Sequence, residues 1–278
     1  MEFIFKGKQL MERKLTIKTI DNYDISAIHT VSKGKGIILW LHGITVNKDE
    51  YLNFFSDGVK YLYDKGFDSL RFDFRGHGAS SGTSLDFSIV GQMLDVDSVM
   101  EYLISYYKKK SCTINIVGCS FGAPPAIYTA INYKKYINKI ILISPVISYR
   151  DTFLEPRTEW AKSIFNNKTL SDLKKKKKLF IDENFPISYR LVEEMKIIEP
   201  ELSINNVMQS IILIHGDADS MVPYDVSRSV SEKYKKIKFI SIKGMDHGFM
   251  DENDEEGISK KSLHNKIYIY KIIEKYCQ

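Results

Sequence analysis

Gly118-Cys119-Ser120-Phe121-Gly122 sets a hydroxyl nucleophile between two glycines in the pattern G-x-S-x-G. The apolar run Ile114 to Val117 precedes it and an amphipathic stretch follows, which is the strand-to-helix context of a nucleophile elbow. A serine on so sharp a turn holds a strained backbone, and the flanking glycines let neighbouring segments approach it closely. In other surroundings the same five residues are an ordinary Gly/Ser turn, so the flanking strand and helix carry the chemical reading. A serine hydroxyl attacks poorly until a base takes its proton. The elbow therefore predicts a carboxylate and a histidine downstream, in the order Ser, Asp or Glu, His.

Both are present. Ile211 to Ile214 runs into His215-Gly216-Asp217-Ala218-Asp219-Ser220-Met221-Val222-Pro223, placing two carboxylates in a loop at the C-terminal end of a strand, where α/β sheets build their sites. The next strand, Phe239 to Ile242, leads through Lys243-Gly244-Met245-Asp246 to His247. Of the six histidines, His29 lies in a hairpin region, His264 on the final helix, and His42, His77 and His215 in glycine turns. Only His247 follows the acid loop at a strand exit. A lone histidine is more often structural, and here position and order favour the base. Ile37 to Leu41 runs into His42-Gly43-Ile44-Thr45, a glycine turn able to aim backbone N–H groups at the charge that acyl transfer develops on a carbonyl oxygen. The two amides expected to form that oxyanion hole are those of Ile44 and Phe121.

These loops need a frame. Ile37 to Leu41, Ser69 to Phe72, Ile114 to Val117, Ile140 to Ile143 and Ile211 to Ile214 are short apolar runs without alternation, as suits strands covered on both faces. Amphipathic stretches such as Tyr51 to Lys65, Ile89 to Tyr107 and Pro124 to Tyr133 separate most of them, predicting a doubly wound, mostly parallel α/β sheet. Leu15 to Ile20 and Tyr23 to Ile28 alternate around Asp21-Asn22 and read as an edge hairpin. The chain closes with a helix over Ser227 to Lys235, the strand Phe239 to Ile242 and a helix over Leu263 to Tyr276. The rhythm breaks between Ser144 and Ser210, in a charged interval with Pro156, Pro186, Pro200 and Trp160. It reads as a helical lid over residues 145–209 on a core of residues 1–144 and 210–278. Phe153, Leu154, Trp160 and Phe165 are its candidate pocket residues.

Taken together these elements resemble the α/β-hydrolase superfamily over most of residues 35 to 250. Asp73-Phe74-Arg75-Gly76-His77-Gly78-Ala79-Ser80 is similar to its D-x-R-G-H-G-x-S segment, and His215 to Pro223 to its H-G-x-x-D-x-x-V-P acid loop. Within the superfamily the chain is most similar to lidded bacterial cinnamoyl or feruloyl-type esterases and serine-aminopeptidase-like hydrolases. The resemblance implies that the acid stands four residues after the acid-loop histidine, selecting Asp219 over Asp217. Asp217 is then expected to serve its own loop's backbone, and Asp246 to be structural. Two positions depart from the family: Ile44 stands where an aromatic is usual and Val46 where a glycine is common. The Asp73 to Ser80 segment, with Arg75 and His77, is expected to shape a loop rather than react.

The expected activity is that of a serine hydrolase cleaving a carboxylic ester of an apolar or aromatic acyl group through an acyl-enzyme. A small-molecule ester is the expected partner and no cofactor is needed: the chain has no P-loop, dinucleotide fingerprint or zinc spacing. The same triad would serve an acyl thioesterase or acyltransferase, with Lys174 to Lys178 meeting an acidic acyl carrier. It would also serve an amidase or peptidase, for which Glu155, Glu159 and Glu183 are available. A ligand-binding module without turnover would be expected to lack a triad member.

At 278 residues and 44% hydrophobic content the chain can bury a sizeable core, which excludes intrinsic disorder. The net charge of +5 is spread along the chain, so neither nucleic-acid nor membrane binding is implied, and the lysine run reads as a solvated face. Cys112, Cys119 and Cys277 have no metal spacing and an odd count, as expected of reduced surroundings. The opening Met1 to Lys6 is too short in apolar residues for a signal-peptide core, and no run approaches about 18 apolar residues, so a cytoplasmic location is expected.

Overall fold

The apolar runs become the interior of a sheet because both of their faces find partners. The computed structural model describes residues 10–108, 113–254 and 256–278. The opening stretch and Cys112 lie outside the described residues. In chain order the strands are β1 (Glu12–Lys18), β2 (Asp24–Thr30), β3 (Ile37–Leu41), β4 (Asp68–Phe72), β5 (Ile114–Cys119), β6 (Ile137–Ile143), β7 (Lys178–Asp182), β8 (Phe185–Ser188), β9 (Ile211–Gly216) and β10 (Ile237–Ile242). The helices are α1 (Phe54–Tyr63), α2 (Ile89–Tyr107), α3 (Ala123–Asn132), α4 (Glu159–Ile164), α5 (Asn167–Lys176), α6 (Tyr189–Ile197), α7 (Pro200–Ser203), α8 (Tyr224–Lys233) and α9 (Lys260–Cys277).

Eight strands form one sheet in the order β1-β2-β4-β3-β5-β6-β9-β10. The six from β4 to β10 pair in parallel, while β2 joins β4 antiparallel and β1 completes an edge hairpin. Successive residues of β3 go to opposite faces, as strand geometry requires. Ile37, Leu39 and Leu41 join the apolar layer under α2 and α3, whereas Ile38 and Trp40 join the layer under α1 and α9. The chain steps one way from β3 to β4 and the other way from β3 to β5, so the C-terminal ends of β3 and β5 flank the switch point where open α/β sheets place ligands.

Between Ile143 and Ile211 the chain builds more than helices. A π-helical turn at Arg150–Leu154, then α4 and α5, precede an antiparallel hairpin, β7 with β8, and α6 and α7 follow. The hairpin is an element that the sequence reading did not anticipate, although Leu179, Ile181 and Ile187 alternate inward at 8%, 5% and 0% exposure. These residues, with Phe165, Leu173, Leu191 and Met195, extend the core under α2 and α3 without a break. Glu194 of α6 accepts the Ile89 N–H at 2.7 Å, fastening the interval to the start of α2. Asn166 caps α5 in a reciprocal pair with Thr169, and Lys174 to Lys176 occupy its last turn, where cations suit the helix dipole. Lys177 follows at φ 60 and Lys178 opens β7, and all five lysines are exposed.

Candidate active site

Ser120 sits at φ 47 between the end of β5 and α3, in the left-handed region that a non-glycine residue occupies only under constraint. The constraint is close packing. A Cβ at Gly122 would stand 2.1 Å from the Leu41 carbonyl oxygen, and one at Gly118 would stand 2.6 Å from that of Gly122, so neither position admits a side chain. The Phe121 ring is buried against Phe87, Tyr149 and Phe153. Its N–H opens a helical turn, where it has no acceptor within the helix.

The loops after β9 and β10 converge on this serine. The Ser120 hydroxyl reaches His247 Nε2 at 3.0 Å, and His247 Nδ1 reaches Asp219 Oδ2 at 2.9 Å. Asp219 is fully buried, yet every lone-pair direction has a use. Oδ2 also meets His215 Nε2 at 3.0 Å, and Oδ1 accepts the N–H groups of Met221 and Val222 at 3.0 and 2.8 Å. Burial alone would raise its pKa, but His247 and His215 outweigh burial and hold the carboxyl well below the usual range. Burial likewise presses the His247 pKa down, and the Asp219 charge reverses this to leave it above its ordinary value.

Asp217 is tied elsewhere, to the Gly244 N–H at 2.6 Å. It therefore braces the neighbouring histidine loop rather than the backbone of its own loop. Asp246 Oδ1 accepts from the Ser220 amide and hydroxyl at 2.8 Å each and from the His247 N–H at 2.7 Å, which locks the acid and histidine loops together.

Two groups, His42 and Glu50, to which the sequence pattern assigns no role of their own, fix the turn after β3. The Phe74 N–H donates to His42 Nε2 at 3.0 Å, so Nδ1 must carry the ring proton, and it meets the Gly43 carbonyl at 2.6 Å. That carbonyl and the Ile44 N–H belong to one planar peptide, so fixing the oxygen fixes the amide direction. Burial pushes the His42 pKa down to about 4, which keeps the ring neutral. Glu50 accepts the Gly43 N–H at 2.8 Å and the Tyr51 N–H at 3.0 Å, and burial pushes its pKa up to about 7. The only sequence signal for His42 was the strand-glycine-turn pattern, and Glu50 had none. In the Asp73 to Ser80 segment, Arg75 pairs with Asp95 and Asp21, and buried His77 packs between Phe87 and Phe185. Both side chains brace their loop.

Ser120 and His247 open onto a cavity of about 330 Å³ with a mainly apolar wall. Phe153 and Trp160 line it, while Leu154 does not and Phe165 packs behind Phe153. Ile44 and Val46 line it as well. No lysine or arginine is among the described lining residues, and the carboxylates there are Glu50, Asp182 and Asp246. Glu155, Glu159 and Glu183 are exposed and outside the lining. Among the described residues no cluster suits a metal ion, and no helix is long and apolar enough to cross a membrane. Cys119 and Cys277 are buried thiols, and burial pushes Cys277 up to about 12.

The parallel sheet, its strand order and the serine elbow at its switch point define the α/β-hydrolase class. The family profile Hydrolase_4, described as serine aminopeptidase, S33, matches residues 32–188, more than half of the chain. The chain belongs to that family. It is 26% identical over 259 residues to the uncharacterized protein R595 of Acanthamoeba polyphaga mimivirus, a match covering 87% of this chain and 79% of that protein. Among solved structures, Est1E of Butyrivibrio proteoclasticus with ferulic acid bound is similar at a TM-score of 0.73 and 20% identity, covering 94% of this chain and 98% of Est1E. The Pyrococcus furiosus esterase Pf2001 is similar at 0.68 and 21%, covering 97% and 92%. At such identities the likeness is one of fold.

Proposed function

We propose that the protein is a serine hydrolase acting on small carboxylic esters with an apolar or aromatic acyl group. The observation that carries this is the hydrogen-bonded line from Ser120 through His247 to Asp219, opening on an apolar cavity. His247 Nε2 takes the Ser120 proton as Oγ attacks the acyl carbon, and the Ile44 and Phe121 amides receive the charge on the carbonyl oxygen. Asp219 holds the Nδ1 proton and stabilises the imidazolium. Collapse of the tetrahedral adduct passes the Nε2 proton to the leaving alkoxide and leaves an acyl-Ser120 ester. Water then attacks that ester with His247 again as base, releasing the acid and restoring the serine. The interval between Ser144 and Ser210 acts as a lid that shapes the acyl site through Phe153 and Trp160.

One competing reading has an observation behind it. Glu50, Asp182 and Asp246 are among the described lining residues and no lysine or arginine is, which favours a substrate carrying an amine, such as an aminoacyl amide.

The experiment is a panel of p-nitrophenyl esters of graded chain length, methyl hydroxycinnamates, acyl-CoAs and aminoacyl p-nitroanilides. Ester turnover is expected to lead. Ser120→Ala and His247→Ala should each lower it on the order of 10⁴-fold or more with folding intact. Retention of more than about a tenth by Ser120→Ala would make Ser120 the wrong nucleophile.

A further inference from the structure

Ser144 has a hydroxyl that the fold does not use. It follows β6 at φ 43, is 1% exposed, and lines the same cavity as Ser120. Its backbone is firmly held. The Ser144 N–H donates to the Ile214 carbonyl at 2.8 Å, and two residues on the Val146 N–H donates to the Ser120 carbonyl at 3.1 Å. The segment is thus pinned between the strand bearing the nucleophile and the strand bearing the acid loop. Its side-chain oxygen, by contrast, has no hydrogen-bond partner among the described residues.

Both features are unfavourable in the free protein. A left-handed backbone suits glycine better than serine, and a buried hydroxyl without a partner loses its hydration for no return. Ile143 and Val146, the neighbouring lining residues, offer it nothing. An oxygen on a bound molecule would complete the hydroxyl, and the position beside Ser120 puts that oxygen close to the reacting ester.

We propose that the Ser144 hydroxyl is a hydrogen-bonding subsite for an oxygen-bearing substituent of the substrate, so that the preferred esters carry a hydroxyl or carbonyl near the scissile bond. This rests on the reading of Ser120 as nucleophile. The substituent belongs to either the acyl or the alcohol part, which matched substrate pairs separate. A site built to hydrogen-bond a substrate group discriminates strongly against the analogue that lacks it, because its own polar atom is then left unpaired.

The test measures kcat/KM for p-nitrophenyl 3-hydroxybutyrate against p-nitrophenyl butyrate, and for 2-hydroxyethyl butyrate against ethyl butyrate. It uses the native protein, Ser144→Ala and Ser144→Gly, with melting temperatures as a check on folding. In one pair the native protein is expected to prefer the hydroxylated ester by about 10-fold or more, and both variants to lower that ratio to about 2-fold. Glycine also relieves the backbone, so that variant remains informative if alanine fails to fold. A preference that survives in the variants, or no preference in either pair, overturns the subsite while turnover keeps the hydrolase reading. Absence of any ester turnover by the native protein overturns both.

Discussion

Replacing Asp219 by Asn tests the proposed mechanism at one atom. The carboxylate faces two N–H groups of its own loop through Oδ1 and two imidazoles through Oδ2. An asparagine keeps one acceptor and gains an NH₂. If its oxygen stays on the Met221 and Val222 amides, the NH₂ confronts His247 Nδ1, which must then accept. The ring proton moves to Nε2, where it points at the Ser120 hydroxyl and cannot receive that hydroxyl's proton. Comparable substitutions in a serine-protease triad cost about 10⁴-fold, so a loss of about 10³ to 10⁴ is expected, or about 4 to 5.5 kcal/mol at ~1.36 kcal/mol per decade. Asp217→Asn retains an oxygen for the Gly244 N–H at 2.6 Å and should cost less than about 10-fold. The assay is kcat/KM on a p-nitrophenyl ester from about pH 5 to 9. Activity in the native protein is expected to fall as pH drops through the His247 pKa, which lies above its ordinary value because of Asp219. In Asp219→Asn the residual activity should show that limb moved to lower pH, because the charge that raised it is gone. Equal losses from the two asparagines, or an unmoved limb, would refute the assignment of Asp219 as orienting acid.

Two further outcomes separate the proposed substrate class from its rivals. Trp160→Ala removes a half-buried indole from the cavity wall and should lower kcat/KM for aromatic or long-chain esters relative to acetate by about 10-fold, with little change in melting temperature; an unchanged ratio would detach the proposed lid interval from substrate choice. A point change is the cleaner probe, since the buried residues of this interval share one core with the sheet. Changing Lys174 to Lys178 to Gln should leave a p-nitrophenyl ester rate within about two-fold, all five being exposed and outside the cavity lining. A loss confined to an acyl-carrier thioester and shrinking with added salt would instead favour the thioesterase reading.

Much of the frame was legible in the sequence because covering a strand on both faces demands an unbroken apolar run. Ile37 to Leu41 could be bounded to the residue on that ground, and Ile89 to Tyr107 on its amphipathic helical pattern. That Ser120, Asp219 and His247 come together was expected from their order along the chain and from the loop spacing of a recognisable superfamily, and the structure shows the contact among them on which the proposed roles rest. The β7-β8 hairpin was hidden because its alternation is only a few residues long and follows a lysine run that reads as solvated helix or loop.

What the tertiary structure alone decided is which polar atoms share a space. The acid-loop spacing pointed to Asp219, but only the fold shows what each carboxylate touches, with Asp219 against His247 and Asp217 against the Gly244 N–H of the histidine loop. The roles of His42 and Glu50 around the Gly43 peptide depend on hydrogen bonds that close only when β3 lies beside β4 and its loop folds back. The unused hydroxyl of Ser144 is the extreme case, since a missing partner is a property of everything packed around an atom and not of its neighbours in the chain. Periodicity and order along the chain fix the elements and the types of reactive group. Direction, pairing and burial come from contacts between residues far apart in sequence, as with the 127 positions that separate Ser120 from His247.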